Sequence, residues 1–162
     1  MQTRREKSRL GRPLCACSGS GVFIGYASLF GERDQSGDVV MPGAFTASLK
    51  RRGYRDVRML FQHDAAEPVG TWIDMRETAR GLHVTGRLDR NVQRARELFS
   101  LLESRGLDGL SIGFKTLKAR RDKATASRLL TEIDLWEISL VTFPMLLGAR
   151  VSFVSTSERV VA

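Results

Sequence analysis

The chain has 162 residues, with 26 Lys+Arg against 18 Asp+Glu, two histidines, two cysteines and a formal net charge of +8. At roughly 100–200 residues per domain it forms one domain, and hydrophobic and charged fractions of 42% and 27% exclude wholesale disorder. No run approaches the ~18–20 apolar residues of a membrane-spanning helix, and Cys15 and Cys17 are too close together to frame a disulfide scaffold.

Residues 1–20 carry Arg4, Arg5, Lys7, Arg9 and Arg12 against Glu6 alone, a net +4 and half of the total charge. No apolar core of about 7–15 residues follows this basic start, so it does not read as a secretory signal. The stretch Cys17-Ser-Gly-Ser-Gly21 has linker composition. These features predict a flexible basic arm over 1–20, a folded domain over 21–154 and a C-terminal tail over 155–162.

Val22–Phe30 is apolar and β-rich, which predicts a strand, and Asp34-Gln-Ser-Gly37-Asp38 is turn chemistry. Gly43–Arg52 reads as a short helix with Pro42 near its start, a basic last turn and Gly53 as its stop. Three strand-like runs follow at Val57–His63, Val69–Met75 and Gly81–Leu88, with Asp64–Pro68 as the turn between the first two. Between Asn91 and Arg105, Val92, Ala95, Leu98, Phe99 and Leu102 recur at three- and four-residue spacing. They predict an amphipathic helix with Asn91 as N-cap and Gly106 as stop. Further strands are expected at Leu110–Leu117 and Leu129–Thr142, around a charged turn at Lys118–Arg128. Six or seven strands with two helices, strands mostly following strands, predict a mostly β (α+β) fold. Its architecture would be a curled, largely antiparallel barrel with helices packed outside.

Gly109-Leu-Ser111-Ile-Gly113 matches the G-x-S-x-G nucleophile elbow. The α/β-hydrolase reading fails, because that fold places its histidine after the serine and both His63 and His83 precede Ser111. A serine nucleophile in another geometry stays open, since triads are defined by roles rather than chain order. Imidazole is the natural base near neutral pH. His83 alternates with Leu82 and Val84, as a solvated strand residue would. His63 ends a strand-like run at a turn, either capping that turn or presenting a base. Glu137 lies in the apolar run Leu135–Phe143, where a buried carboxylate requires a partner. It is either satisfied there or faces outward, and Asp134 and Glu132 share its strand. No phosphate loop, dinucleotide fingerprint or zinc-ligand spacing is present, so no cofactor or metal is expected.

The ordered motifs Gly25-Tyr-Ala, Asp38-Val-Val-Met-Pro-Gly-Ala-Phe45, Leu60-Phe-Gln-His63-Asp, Pro68-Val-Gly70, Gly81-Leu82, Gly109-Leu-Ser111-Ile-Gly-Phe114 and Trp136-Glu137-Ile-Ser-Leu-Val-Thr-Phe-Pro144 span residues 22–150. In this order they resemble the prohead (procapsid maturation) proteases of tailed phages. The resemblance implies the fold of the herpesvirus assembly protease and a serine endopeptidase with His63 as general base and Ser111 as nucleophile. The third member is a second histidine in the herpesvirus relatives, and the comparable position here is Glu137. The resemblance also implies oxyanion-hole donors after the last strand. There this chain reads Pro144-Met-Leu-Leu-Gly-Ala149 instead of a small Ala-Asn-Pro-like turn.

The implied substrates are the scaffold, the scaffold-like domain of the major capsid protein, and the protease itself. They would be met by a homo-oligomer inside the procapsid, in the bacterial cytoplasm, without a membrane or a required nucleic acid. Whether that particle is a phage, a prophage or a gene-transfer agent stays open at this point. The rival readings are a basic nucleic-acid-binding module, from the sequence pI near 10.3, and an inactive scaffold-associated structural protein.

Overall fold

The computed structural model describes residues 20–155. The expected arm and tail therefore lie outside the described residues, apart from Ser20 and Ser155. Eight strands and two α-helices follow in the order β1 (Val22–Leu29), β2 (Asp38–Val40), α1 (Thr46–Arg52), β3 (Arg58–Phe61), β4 (Asp64–Glu77), β5 (Gly81–Leu88), α2 (Gln93–Glu103), β6 (Gly109–Arg121), β7 (Arg128–Val141) and β8 (Val151–Val154). They form one sheet in the order β2-β7-β3-β4-β5-β1-β8, with β6 also on β7, and the sheet curls into a half-barrel.

The expected mostly β, curled fold with two helices is the one observed. The strand total is eight because β2 and β8 are three and four residues long, too short to show a period in sequence. Pairing is antiparallel except where β2 and β3 run parallel to β7. The expected turn at Asp64–Pro68 is strand instead. β4 starts at Asp64, and Pro68 is accommodated where the β3–β4 register shifts, at a position that needs no ladder donor.

β7 organises the sheet. β6 pairs with it from Gly109↔Val141 to Arg121↔Arg128 and so occupies one whole edge. The opposite edge is shared by β2, at Arg128–Leu130, and β3, at Glu137–Leu140. β2 is fastened by a two-pronged ion pair between buried Asp38 and Arg128, at 2.7 and 2.5 Å. Leu130, Ile133, Leu135, Ile138 and Leu140 of β7 are fully buried with Phe23, Phe45, Met59 and Leu98.

α2 buries the expected stripe of Ala95, Leu98, Phe99 and Leu102. Its N-cap is Val92 rather than Asn91, because Asp89 ties down the entry by accepting the Asn91 N–H at 2.9 Å. The helix closes with Arg105 in the left-handed region, the Gly106 N–H bonding Leu101 O at 2.8 Å and the Arg105 N–H bonding Leu102 O. That is a Schellman ending with arginine where glycine is usual. α1 starts at Thr46, later than expected, behind a turn whose Gly43 and Phe45 N–H groups bond the Glu77 carboxylate at 2.9 and 2.7 Å.

Candidate active site

The register of β7 places the chemistry. Across the β6–β7 ladder Ser111 faces Ser139 and Gly113 faces Glu137. Alternation along a strand then sets Ser111, Ser139 and Glu137 on one face of the sheet. On the opposite edge Leu60 pairs with Ser139, and two residues beyond the end of β3 the chain reaches His63. Because neighbouring strands lie about 4.8 Å apart, Ser111 and His63 flank the same short stretch of β7 from its two edges.

His63 sits in a tight turn. Phe61 pairs with Asp64, so Gln62 and His63 are the two central residues of a β3–β4 hairpin, with φ of 53° and 58°. Two-residue hairpin turns with both central φ positive favour Asn-Gly-type sequences, and a non-glycine residue held there costs on the order of 1–3 kcal/mol. Contacts from β7 and from Thr142 just after it hold the turn. The His63 N–H bonds Ser139 Oγ at 3.0 Å, the Gln62 N–H bonds Leu140 O at 3.0 Å, and Gln62 Nε2 donates to Thr142 Oγ1 at 2.8 Å.

The His63 Nδ1 meets Glu137 Oε1 at 2.5 Å, with the imidazole 43% and the carboxylate side chain 14% exposed. The hydrogen bond to Glu137 and its charge hold the His63 pKa above the ordinary 6.5, against partial burial, which acts the other way. The second carboxylate oxygen accepts from Ser139 Oγ at 2.7 Å. Glu137 reaches this position because residue 113 is glycine. A β-carbon there would lie 2.0 Å from Glu137 Oε1.

Ser111 is 6% exposed, and among the described residues its hydroxyl makes no hydrogen bond. It faces a pocket of about 40 Å³ walled by Leu29, Val40, Leu110, Phe114 and Leu146, with Asp38 among its polar lining. The segment after β7 is drawn against it. The Leu110 N–H, next to Ser111, bonds Ala149 O at 2.9 Å, the Gln35 N–H bonds Met145 O at 3.0 Å, and Arg150 pairs with Asp108 at 2.5 Å. This segment exposes Phe143, Met145 and Leu147.

The structure thus joins His63 to Glu137 directly and sets Ser111 one strand away across Ser139. His83 lies elsewhere, on β5, its ring edge-to-face with Tyr26 and its pKa lowered, chiefly by burial. Asp134 binds Arg51 and Arg52, and Glu132 binds Lys118, so neither carboxylate competes for His63. Sequence reasoning passed over Ser139 and the spatial role of Gly113. The available signal was a lone serine two residues after a glutamate in the otherwise apolar run Leu135–Val141. Among the described residues no group of three or more His, Cys, Asp or Glu is arranged to hold a metal ion.

Residues 12–161 match the family model of the caudovirus prohead serine protease. The chain is 37% identical over 126 residues to the prohead protease of Enterobacteria phage HK97, covering 76% of this chain and 56% of that protein. It is 33% identical over 113 residues to the prohead protease of Escherichia phage T5, covering 69% and 53%. The chain thus spans about half the length of the curated relatives it matches. In fold it is similar to the bacteriophage T4 capsid assembly protease, with TM-score 0.59, 12% identity and coverage of 76% and 82%. It is also similar to the KSHV protease, with TM-score 0.53, 12% identity and coverage of 81% and 64%. The chain belongs to the caudovirus prohead serine protease family.

Proposed function

We propose that this chain is a serine endopeptidase that matures procapsids by cutting the scaffold, or the scaffold-like domain of the major capsid protein, and itself. The observation that carries the reading is the 2.5 Å contact between His63 and Glu137 on the sheet face that also bears Ser111. His63 Nε2, the ring nitrogen left free by that contact, takes the Ser111 proton as Oγ attacks the peptide carbonyl. Glu137 fixes the tautomer and stabilises the imidazolium. The imidazolium then gives its proton to the leaving amine, which departs and leaves an ester on Ser111. Water, deprotonated by His63, hydrolyses that ester. Backbone N–H groups of the 144–149 segment act as oxyanion donors, each worth on the order of 3–4 kcal/mol of barrier.

The enzyme works as a homo-oligomer inside the assembling particle, in the bacterial cytoplasm. Among the described residues no helix is long and apolar enough to cross a membrane.

Co-expression with the major capsid protein of the same particle, read by intact mass, tests the proposal. The wild type is expected to yield a shortened capsid protein and Ser111→Ala the full-length one, with the fold unchanged by circular dichroism. Cleavage by Ser111→Ala would remove the nucleophile assignment.

A further inference from the structure

Ser139 has no exposed surface and stands between the residues assigned above without being the nucleophile. Its hydroxyl proton is committed to Glu137 Oε2 at 2.7 Å, and its oxygen accepts the His63 N–H at 3.0 Å. One hydroxyl therefore ties the carboxylate to the backbone of the histidine that the same carboxylate binds through its other oxygen at 2.5 Å. The ring so closed, Ser139 Oγ to Glu137 to the His63 imidazole and back through the His63 amide, leaves none of its members free to turn alone.

We propose that Ser139 is a positioning residue for catalysis: it holds the strained His63 turn and the Glu137 carboxylate in one fixed unit, so that the imidazole faces Ser111 before substrate arrives. This inference rests on the roles given to His63 and Ser111 under the proposed function.

Three observations support it. The turn adopts positive φ at two non-glycine residues, a conformation that persists only where surroundings enforce it. The hydrogen bond that the His63 backbone N–H itself donates to β7 is the one to Ser139 Oγ. The carboxylate, moreover, is seated over Gly113, where nothing else grips Oε2 among the described residues. Little else competes for the imidazole. Glu137 is the charged group acting on the ring, and Asp64, next in the chain, bonds the Ala66 N–H at 2.8 Å instead. Arg58, the register partner of Glu137 on β3, forms no ion pair among the described residues.

Ser139→Ala removes both hydrogen bonds and little volume. The cleavage rate kcat is expected to fall about tenfold to a hundredfold with KM changed less than about twofold, the pattern of a lost transition-state arrangement rather than lost binding. In a Ser111→Ala background, NMR titration of the His63 imidazole in Ser139→Ala is expected to move its pKa down towards 6.5, because the carboxylate is no longer held against it. A purely structural serine would lower the melting temperature and leave both readings in place.

Should Ser139→Ala not fold, Ser139→Cys, close in size and a weaker hydrogen-bonding group, carries the same two readings with smaller shifts. An unchanged kcat together with an unchanged His63 titration in a folded variant overturns the proposal. The titration requires no turnover, so it decides the role of Ser139 even if Ser111→Ala proves active and the proposed function fails.

Discussion

Replacing Gly113 with alanine would set a β-carbon 2.0 Å from Glu137 Oε1, 2.6 Å from Cδ and 2.8 Å from Cγ. An ordinary contact begins near 3.4 Å, so the carboxylate has to withdraw by roughly 1.4 Å, the difference between the two distances. The far end of a glutamate swings away at little cost, so the fold survives and the shift falls on the contacts Glu137 makes. The His63 bond lengthens from 2.5 Å beyond hydrogen-bonding range, and the Ser139 bond goes with it. A misplacement of about 1 Å in such a unit lowers turnover on the order of a hundredfold, equivalent to about 2.7 kcal/mol of barrier. KM is expected to stay near the wild-type value, since Gly113 lies under the acid and not in the pocket beside Ser111. The assay is steady-state cleavage of a peptide spanning the capsid cut site, with circular dichroism and thermal melting as the fold control. Adding Glu137→Asp, whose shorter side chain relieves the clash, should cost much less in the Gly113→Ala background than in the wild type. Folded Gly113→Ala that cleaves within about threefold of the wild type would refute the argument that this glycine exists to seat the carboxylate.

The other expectations follow from the same contacts. The acid limb of kcat/KM reports the free base, so it should lie above pH 6.5 in the wild type and move down in Glu137→Gln. Because folding raises the His63 pKa, the stability it contributes is complete below the unfolded value of 6.5 and is lost as pH rises through the folded value. The melting-temperature gap between wild type and Glu137→Gln should therefore be widest below pH 6.5 and narrow above it. Arg128→Ala leaves buried Asp38 without its partner. With Arg128 itself half exposed, a loss of about 1–2 kcal/mol is expected in denaturant melts. Glu77→Gln weakens the bonds to the Gly43 and Phe45 N–H groups and should cost about 1 kcal/mol while leaving cleavage intact, which checks that instability alone does not mimic the active-site variants.

How far the sequence could be read depended on whether a residue answers to its local neighbours. The α2 stripe and the strands β1, β5 and β7 declare themselves because their period repeats over enough residues to register. β2 has only three residues and is recruited by β7 and by the Asp38–Arg128 pair, a contact made 90 positions away. The hairpin at Gln62–His63 carries no turn residue, since its conformation is imposed from β7. Asp64 and Pro68 look like a turn and lie in a strand. Family motifs marked His63, Ser111 and Glu137, and the first and last of these do meet. Ser139 stayed silent because a small hydroxyl in the apolar half of β7 is unremarkable until its two partners are seen in space.

β7 gives the candidate site and the fold a common support. Every strand that carries a site residue is zipped to this one buried strand, which also supplies the centre of the hydrophobic core. Its amides should be among the slowest to exchange with solvent, opening only when the whole domain unfolds. Glu137 and Ser139 share that strand, and the turn bearing His63 is bonded to it at Ser139 and Leu140, so local fraying has to break these bonds before it parts the imidazole from the carboxylate. On the function proposed above, control over cutting would then act through what reaches Ser111, at the pocket walled by Leu110, Phe114 and Leu146.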